Sequence, residues 1–274
     1  MPKPRTYQTE AVIIKKTKLG EADRILTLYT PEVGKLQAVA KGVRRPKSKL
    51  SGHLELLTHS MVSLAHGRNL DTVIGSQTIN SFLPLKNDLR LSSYALYASE
   101  LVYQFAADNQ ENRPLFQLLI GTLAELCQFG DSELLLRYFE VHLLHESGYR
   151  PQLQECIGCH QPLEPVTNFF SASAGGMLCP RCHLSQRFVR PLPINALKVL
   201  RILQDSAWSE VSQLKLSPEV SYELEWVLRN YLRYLLEREV KSVAWLDTLK
   251  RQTTDAIPAD IVAQEGCSGG EITP

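Results

Sequence analysis

The chain has 274 residues, of which 44% are hydrophobic and 22% charged, and its formal net charge is +1. That is an ordinary composition for a globular protein, long enough for two domains and for a core that needs no disulfide staples. No apolar run reaches the length of a membrane span, and the start, MPKPRTYQTE, lacks the apolar stretch and small-residue cleavage site of a signal peptide, so a cytoplasmic protein with no membrane partner is expected.

The small net charge hides a division. Residues 1–85 hold 13 Lys+Arg against 6 Asp+Glu, a balance of +7, while the remainder holds 17 against 23, a balance of −6. Such asymmetry suggests a part that binds a polyanion joined to an acidic part. The first part reads as strands: YQTEAVIIKK, RILTLYT, KLQAVAKG, LELLTHSMVSL and LDTVIGSQTI are short segments rich in Val, Ile, Leu and Thr. Turn signals separate them at Thr30-Pro31-Glu32-Val33-Gly34 and His66-Gly67-Arg68-Asn69. Five strands in such a length fit a small closed barrel such as the OB-fold, although an SH3-like barrel or a small sandwich has a similar strand count.

One loop stands out. After KLQAVAKG the chain places Lys41, Arg44, Arg45, Lys47 and Lys49 within nine residues, with no acid among them. Like charges this close repel one another, which is unfavourable unless an anion is to be held there. The loop is therefore the candidate phosphate contact. Lys35 and Arg24 are further candidates, and Lys15, Lys16, Lys18 and Arg68 could extend the track. Arg24 also has Glu21 and Asp23 nearby as structural partners. Tyr7 and Tyr29 are candidates for base stacking or for the core. No base-reading element is evident, so little sequence preference is expected.

After Pro84 the period becomes helical. Leu91, Tyr94, Ala98, Leu101, Val102 and Phe105 form one stripe, behind Asn87 and Asp88 as caps. PLFQLLIGTLAELCQFG follows, with Pro114 in a first turn and Gly130 as a stop, and then DSELLLRYFEVHLLHESGY, capped by Asp131 or Ser132 and ended by Gly148. Helices return at about 195–204 and again behind Ser217, with a core stripe of Val220, Leu224, Val227, Tyr231 and Leu235. The last residues, 253–274, are polar and Gly-containing and are expected to be disordered.

Between these helices, Cys156, Cys159, Cys179 and Cys182 form C-x2-C-x19-C-x2-C. Two residues between cysteines let one tight turn aim both sulfurs at a common point, and two such turns supply a tetrahedral site for structural Zn2+. Four thiolates leave no open position for water, which argues against metal catalysis. His160 and His183 are alternative ligands, and Cys127 reads as a core residue. His142 and His145, three apart on a helix, lack the spacing and third ligand of a metal site. A Walker A loop, a dinucleotide fingerprint and a nucleophile elbow are all missing, so an enzyme is not expected.

Several stretches, in this order, are similar to the RecO family of bacterial recombination mediators and DNA repair proteins. They are Gly20-Glu21-Ala22-Asp23-Arg24, Thr30-Pro31-Glu32-Val33-Gly34-Lys35, Ala40-Lys41-Gly42-Val43-Arg44, Phe82-Leu83-Pro84-Leu85, Glu146-Ser147-Gly148-Tyr149-Arg150-Pro151-Gln152-Leu153 and Gly175-Gly176-Met177-Leu178-Cys179. The resemblance spans roughly residues 5–250. It implies a multidomain α+β protein: an OB-fold DNA-binding domain at 1–82, an all-α helical domain at 83–150 and 190–252, and an inserted four-cysteine zinc-binding module at 151–189. It further implies a nucleoid-associated mediator that binds single- and double-stranded DNA, anneals complementary strands and, with RecR, promotes RecA loading on strands covered by single-strand-binding protein. The C-terminal tail of that protein would dock on the helical domain, near basic side chains such as Arg187, Arg190 and Arg201. The rival readings are an RNA- or ribosome-associated OB protein with a zinc ribbon, and an enzyme with dispersed catalytic residues.

Overall fold

The computed structural model describes residues 5–129, 133–244 and 246–248. The disorder expected over 253–274 and the helix signals placed on Gly130, Asp131 and Ser132 fall outside these residues.

Five strands open the chain: β1 (Thr6–Leu19), β2 (Asp23–Thr30), β3 (Gly34–Ala40), β4 (His59–Ala65) and β5 (Asp71–Asn80). They close into a barrel of order β1-β2-β3-β5-β4, the five-stranded OB architecture. β1 is long enough to pair with two neighbours, β4 along its first half and β2 along its second. The barrel closes where β3 meets β5 in parallel, at Ala38–Asp71 and Val39–Thr72.

Alternation decides what lies inside. Ala11, Ile13, Leu26, Leu28, Ala38, Val62, Leu64 and Val73 fill the barrel, each large aliphatic contributing roughly 1.5–3 kcal/mol by burial. The intervening residues Val12, Ile14 and Tyr29 point outward yet are also buried, because the helical region packs over them. This is why Ala11-Val12-Ile13-Ile14 reads as an unbroken apolar run rather than an alternating one.

The strand expected from Leu54 begins instead at His59. Gly52–Leu54 forms a single 3-10 turn, and Leu57 adopts φ 61, so the chain kinks its leucines into the core before pairing starts. Leu57 N–H donates to Ile13 O, and Ile13 N–H donates to Thr58 O.

The helices are α1 (Leu83–Asn87), α2 (Leu89–Phe105), α3 (Arg113–Phe129) and α4 (Glu133–Glu146), then α5 (Ile194–Asp205), α6 (Trp208–Val211) and α7 (Pro218–Leu236). Asp88 caps α2 by accepting from Leu91 N–H, and Ser217 caps α7 by accepting from Val220 N–H. None is long and apolar enough to cross a membrane. Tyr97, Arg137 and Glu140 form a buried polar knot: Tyr97 OH donates to Glu140 Oε1 at 2.6 Å, and Arg137 Nη2 donates to the same oxygen at 2.8 Å. Burial holds the Glu140 carboxyl above the usual carboxylate range despite Arg137 and the tyrosine bond, whereas for Arg137 burial is outweighed by the nearby Glu140, which favours the charged guanidinium.

The 151–189 segment, which showed no strand signal, contains β6 (Asn168–Ser171) and β7 (Gly176–Leu178), and with β8 (Val189–Leu192) these form a sheet of order β7-β6-β8. Strands of three or four residues are too short to display a period. The segment is not a separate unit: Leu153, Phe170, Met177 and Leu192 join the same core as the helices.

Barrel and helices are locked together at Gly34, which has φ +71 and lies so close to the 108–110 segment that an added Cβ would sit 1.9 Å from Gln110 O. Beside it, Asn109 N–H donates to Lys35 O at 2.9 Å. Gly34→Ala is therefore expected to lower stability by more than about 1 kcal/mol and to loosen the two domains, read by thermal melting and by protease cleavage of the 106–112 connection.

Candidate nucleic-acid interface and metal centre

The basic loop is an ordered projection fixed by short bonds at its base. Arg44 N–H donates to Ala22 O at 3.0 Å, Gly42 N–H donates to Asp23 Oδ1 at 2.7 Å, and Val43, 5% exposed, plugs into the barrel core. Gly42 takes φ +63, which lets the chain turn sharply out of β3. Asp23 thus serves the loop backbone, which leaves the loop's own cations without an acid.

Lys41, Arg44, Arg45, Lys47 and Lys49 are all exposed, and among the described residues none forms an ion pair. Arg44 Nη1 donates to Gly20 O at 3.2 Å, which aligns its guanidinium along the β1–β2 turn. Lys18, also exposed, stands across from Arg24 in the β1–β2 ladder. The pole of the barrel formed by the β1–β2 turn and this loop therefore carries a concentrated positive field.

The other sequence candidates lie in different surroundings. Arg24 reaches Glu55 at 4.0 Å, not Glu21 or Asp23, and Lys16 pairs with the same Glu55. Lys35 is the second residue of β3, at the far end of that strand from the loop. It is largely covered, donates to Tyr103 O at 2.8 Å and pairs with Asp108 at 3.3 Å. Lys15 donates to Tyr103 OH at 2.9 Å, with its ammonium over the same ring. These two lysines hold the barrel to α2. Arg68 is exposed in the β4–β5 turn.

Tyr29 is fully buried against Phe116 and offers no face for a base, while Tyr7 stacks on His66 and donates to Asp71 Oδ2 at 2.6 Å. Glu55 and Tyr103 are the partners that sequence reading missed. Both are distant in sequence from the cations they hold, and no local pattern marks them.

The four cysteines converge. The sulfurs of Cys156, Cys159, Cys179 and Cys182 all lie within 4.8 Å of one another, and Cys159 and Cys179 are 3.9 Å apart. A tetrahedral ion with metal–sulfur bonds of about 2.3 Å requires sulfurs about 3.8 Å apart, so the donor set fits a metal. Cys156 is fully buried, and its sulfur accepts from Gly158 N–H at 3.4 Å and Cys179 N–H at 3.3 Å. Burial opposes its ionisation, but N–H donation from Cys179, Cys159 and Gly158 outweighs burial and pulls the thiol down to about 6. His183 stacks flat on Phe169, with ring centroids 3.6 Å apart, and His160 is exposed; neither joins the sulfur cluster. His142 packs on Tyr138, His145 is exposed, and Cys127 packs at the margin of the helical core.

With this geometry the comparisons are decisive. Residues 3–82 match the family model for the N-terminal region of recombination protein O, and residues 86–244 match the model for its C-terminal region. The chain belongs to the recombination protein O family. A protein of Dehalococcoides mccartyi (strain CBDB1) called DNA repair protein RecO is 49% identical over 250 residues, covering 91% of this chain and 98% of the relative. Proteins of the same description from Roseiflexus sp. (strain RS-1) and Pelotomaculum thermopropionicum are 42% and 34% identical, each across 94% of this chain and over 90% and 100% of their own lengths. The boundary between the two family models falls just after the barrel's last strand, β5.

Proposed function

We propose that this recombination protein O family member is a DNA repair mediator that works by binding rather than by turnover. The observation that carries the reading is the loop of five exposed cations without acidic partners, fixed on one pole of an OB barrel. That pole holds single- and double-stranded DNA by its phosphates. Neutralising phosphates lowers the repulsion between two complementary strands, so annealing is faster on the protein than in solution. With RecR, the same grip promotes RecA loading onto strands covered by single-strand-binding protein, in the cytoplasm at the nucleoid. The names of the relatives, DNA repair protein RecO, support the repair role.

The metal is zinc, held by Cys156, Cys159, Cys179 and Cys182. It supplies no chemistry to a substrate; it closes the loop between α4 and α5 and so lowers the entropy lost on ordering it. The acidic, apolar tail of single-strand-binding protein docks on the helical domain. Arg190 is taken by Glu223 and Arg201 by the Leu153 carbonyl. A cleft of about 460 Å3 beside α7 offers the tail an apolar lining of Tyr222, Trp226, Val240 and Val243, although its arginines are already paired, Arg229 with Glu225 and Asp247 and Arg233 with Glu239.

The test is annealing of complementary oligonucleotides precoated with single-strand-binding protein. Acceleration over the protein-free rate is expected, with matched single-stranded DNA bound at least as well as RNA. A strong preference for RNA resting on the 2′-hydroxyl would favour the RNA-binding alternative.

A further inference from the structure

From Pro165 to Gln204 the chain contains no Asp or Glu, yet it carries Arg181, Arg187, Arg190, Lys198 and Arg201. This stretch lies in the part of the chain whose overall balance is −6. Arg190 is bound to Glu223 and lies 3.8 Å from the Trp226 ring, and Arg201 holds the Leu153 carbonyl. Arg181, Arg187 and Lys198 are exposed and form no ion pair among the described residues.

Between the first two of these cations the chain makes the turn Cys182–Ser185, and Phe188 follows directly after Arg187. Leu184 is 80% exposed and Phe188 98% exposed. Scattered surface leucines are ordinary, but Phe188 also sits at φ 58, a left-handed conformation that is costly for a bulky residue. The chain around the ring is fixed on both sides. On one side Cys182 belongs to the sulfur cluster and His183 is stacked on Phe169; on the other, β8 begins at Val189. The fold therefore holds an aromatic ring in water, at a backbone cost, directly after the unpaired Arg187.

We propose that this tip is a second contact for single-stranded nucleic acid. Phe188 stacks on an unpaired base, Leu184 packs at that base's edge, and Arg181 and Arg187 take the flanking phosphates. An exposed aromatic face with unpaired cations in the same short segment complements what a single strand offers: a base π-surface between two phosphates. The barrel pole grips phosphates alone, whereas this tip also grips a base, so the two contacts differ in their response to salt. The inference rests on the nucleic-acid reading above and adds a base-stacking contact to it.

The experiment uses the full chain with Phe188→Trp, titrated with an oligothymidylate, the parent protein's own tryptophan signal being subtracted. Quenching of the added indole on binding is expected. Phe188→Ala should bind roughly five- to a hundred-fold more weakly than the parent, with the salt slope and the melting temperature unchanged. Replacing Arg181 and Arg187 with Ala should reduce the log–log salt slope by about 1.4. If the oligonucleotide binds while the indole stays unquenched and Phe188→Ala keeps full affinity, the tip faces some other partner, such as an acidic peptide, and the inference falls while the barrel reading stands. If quenching is seen but Lys41, Arg44 and Arg45 can be removed without effect, the barrel reading falls and the tip remains. If the parent protein binds no oligonucleotide, both fall.

Discussion

Replacing Lys41, Arg44 and Arg45 together with alanine is expected to weaken single-strand binding about a hundred-fold near 0.1 M salt. Each phosphate neutralised on a single strand contributes about 0.7 to the log–log salt slope, so losing three contacts should flatten that slope by about 2.1. The same three contacts, extrapolated from 1 M salt, account for the hundred-fold difference. Folding should be unharmed, because all three side chains are exposed and the loop is held by Val43 and by backbone bonds that alanine retains. Anisotropy titrations over a salt series, with a melting curve on the same preparation, check this. A slope that does not change would falsify the loop's role.

Cys156→Ser, or exhaustive chelation of the parent protein, is expected to release one bound metal ion, zinc on the reading proposed above, and to loosen the helical domain while the barrel keeps its own core. Apparent binding free energies for structural zinc run to about 10–16 kcal/mol, which is folding free energy when the site does not exist in the unfolded chain. Here Leu153, Phe170, Met177 and Leu192 tie the cysteine segment into the helical core, so its release removes part of that core. The barrel interior is a separate cluster. Metal analysis combined with hydrogen exchange should show lost protection in α4, α5 and α7, with β2 and β3 still protected. Full stability in a metal-free preparation would count against a structural metal.

The barrel was legible because its strands are bounded by turn residues and its inner face alternates, as in Leu26 and Leu28. The cysteine site was legible because two residues between ligands encode a turn directly. The start of β4 was not, because Leu54 and Leu57 look like strand residues and only the positive φ of Leu57 shows the kink. The roles of Lys35 and Arg24 could not be read either. Each is defined by a partner far along the chain, Asp108 and Glu55, and the sequence marks a cation without marking what covers it. Tyr29 illustrates the same limit: alternation placed it outside the barrel, but only the packing of α3 shows that outside is another interior.

The parallel junction of β3 and β5 has a consequence for motion. The barrel's other strand pairs are registered over seven residue pairs each, this one over two. Of the Ala38 and Val39 amides, the one directed at β5 should therefore exchange by local fluctuation well before the rest of the barrel opens, while its neighbour stays held in the β2–β3 ladder. The cationic loop departs at Ala40, immediately beyond that weak zip, but its base is tied to Ala22 and Asp23, so any opening there carries the loop together with β2 and β3 rather than alone.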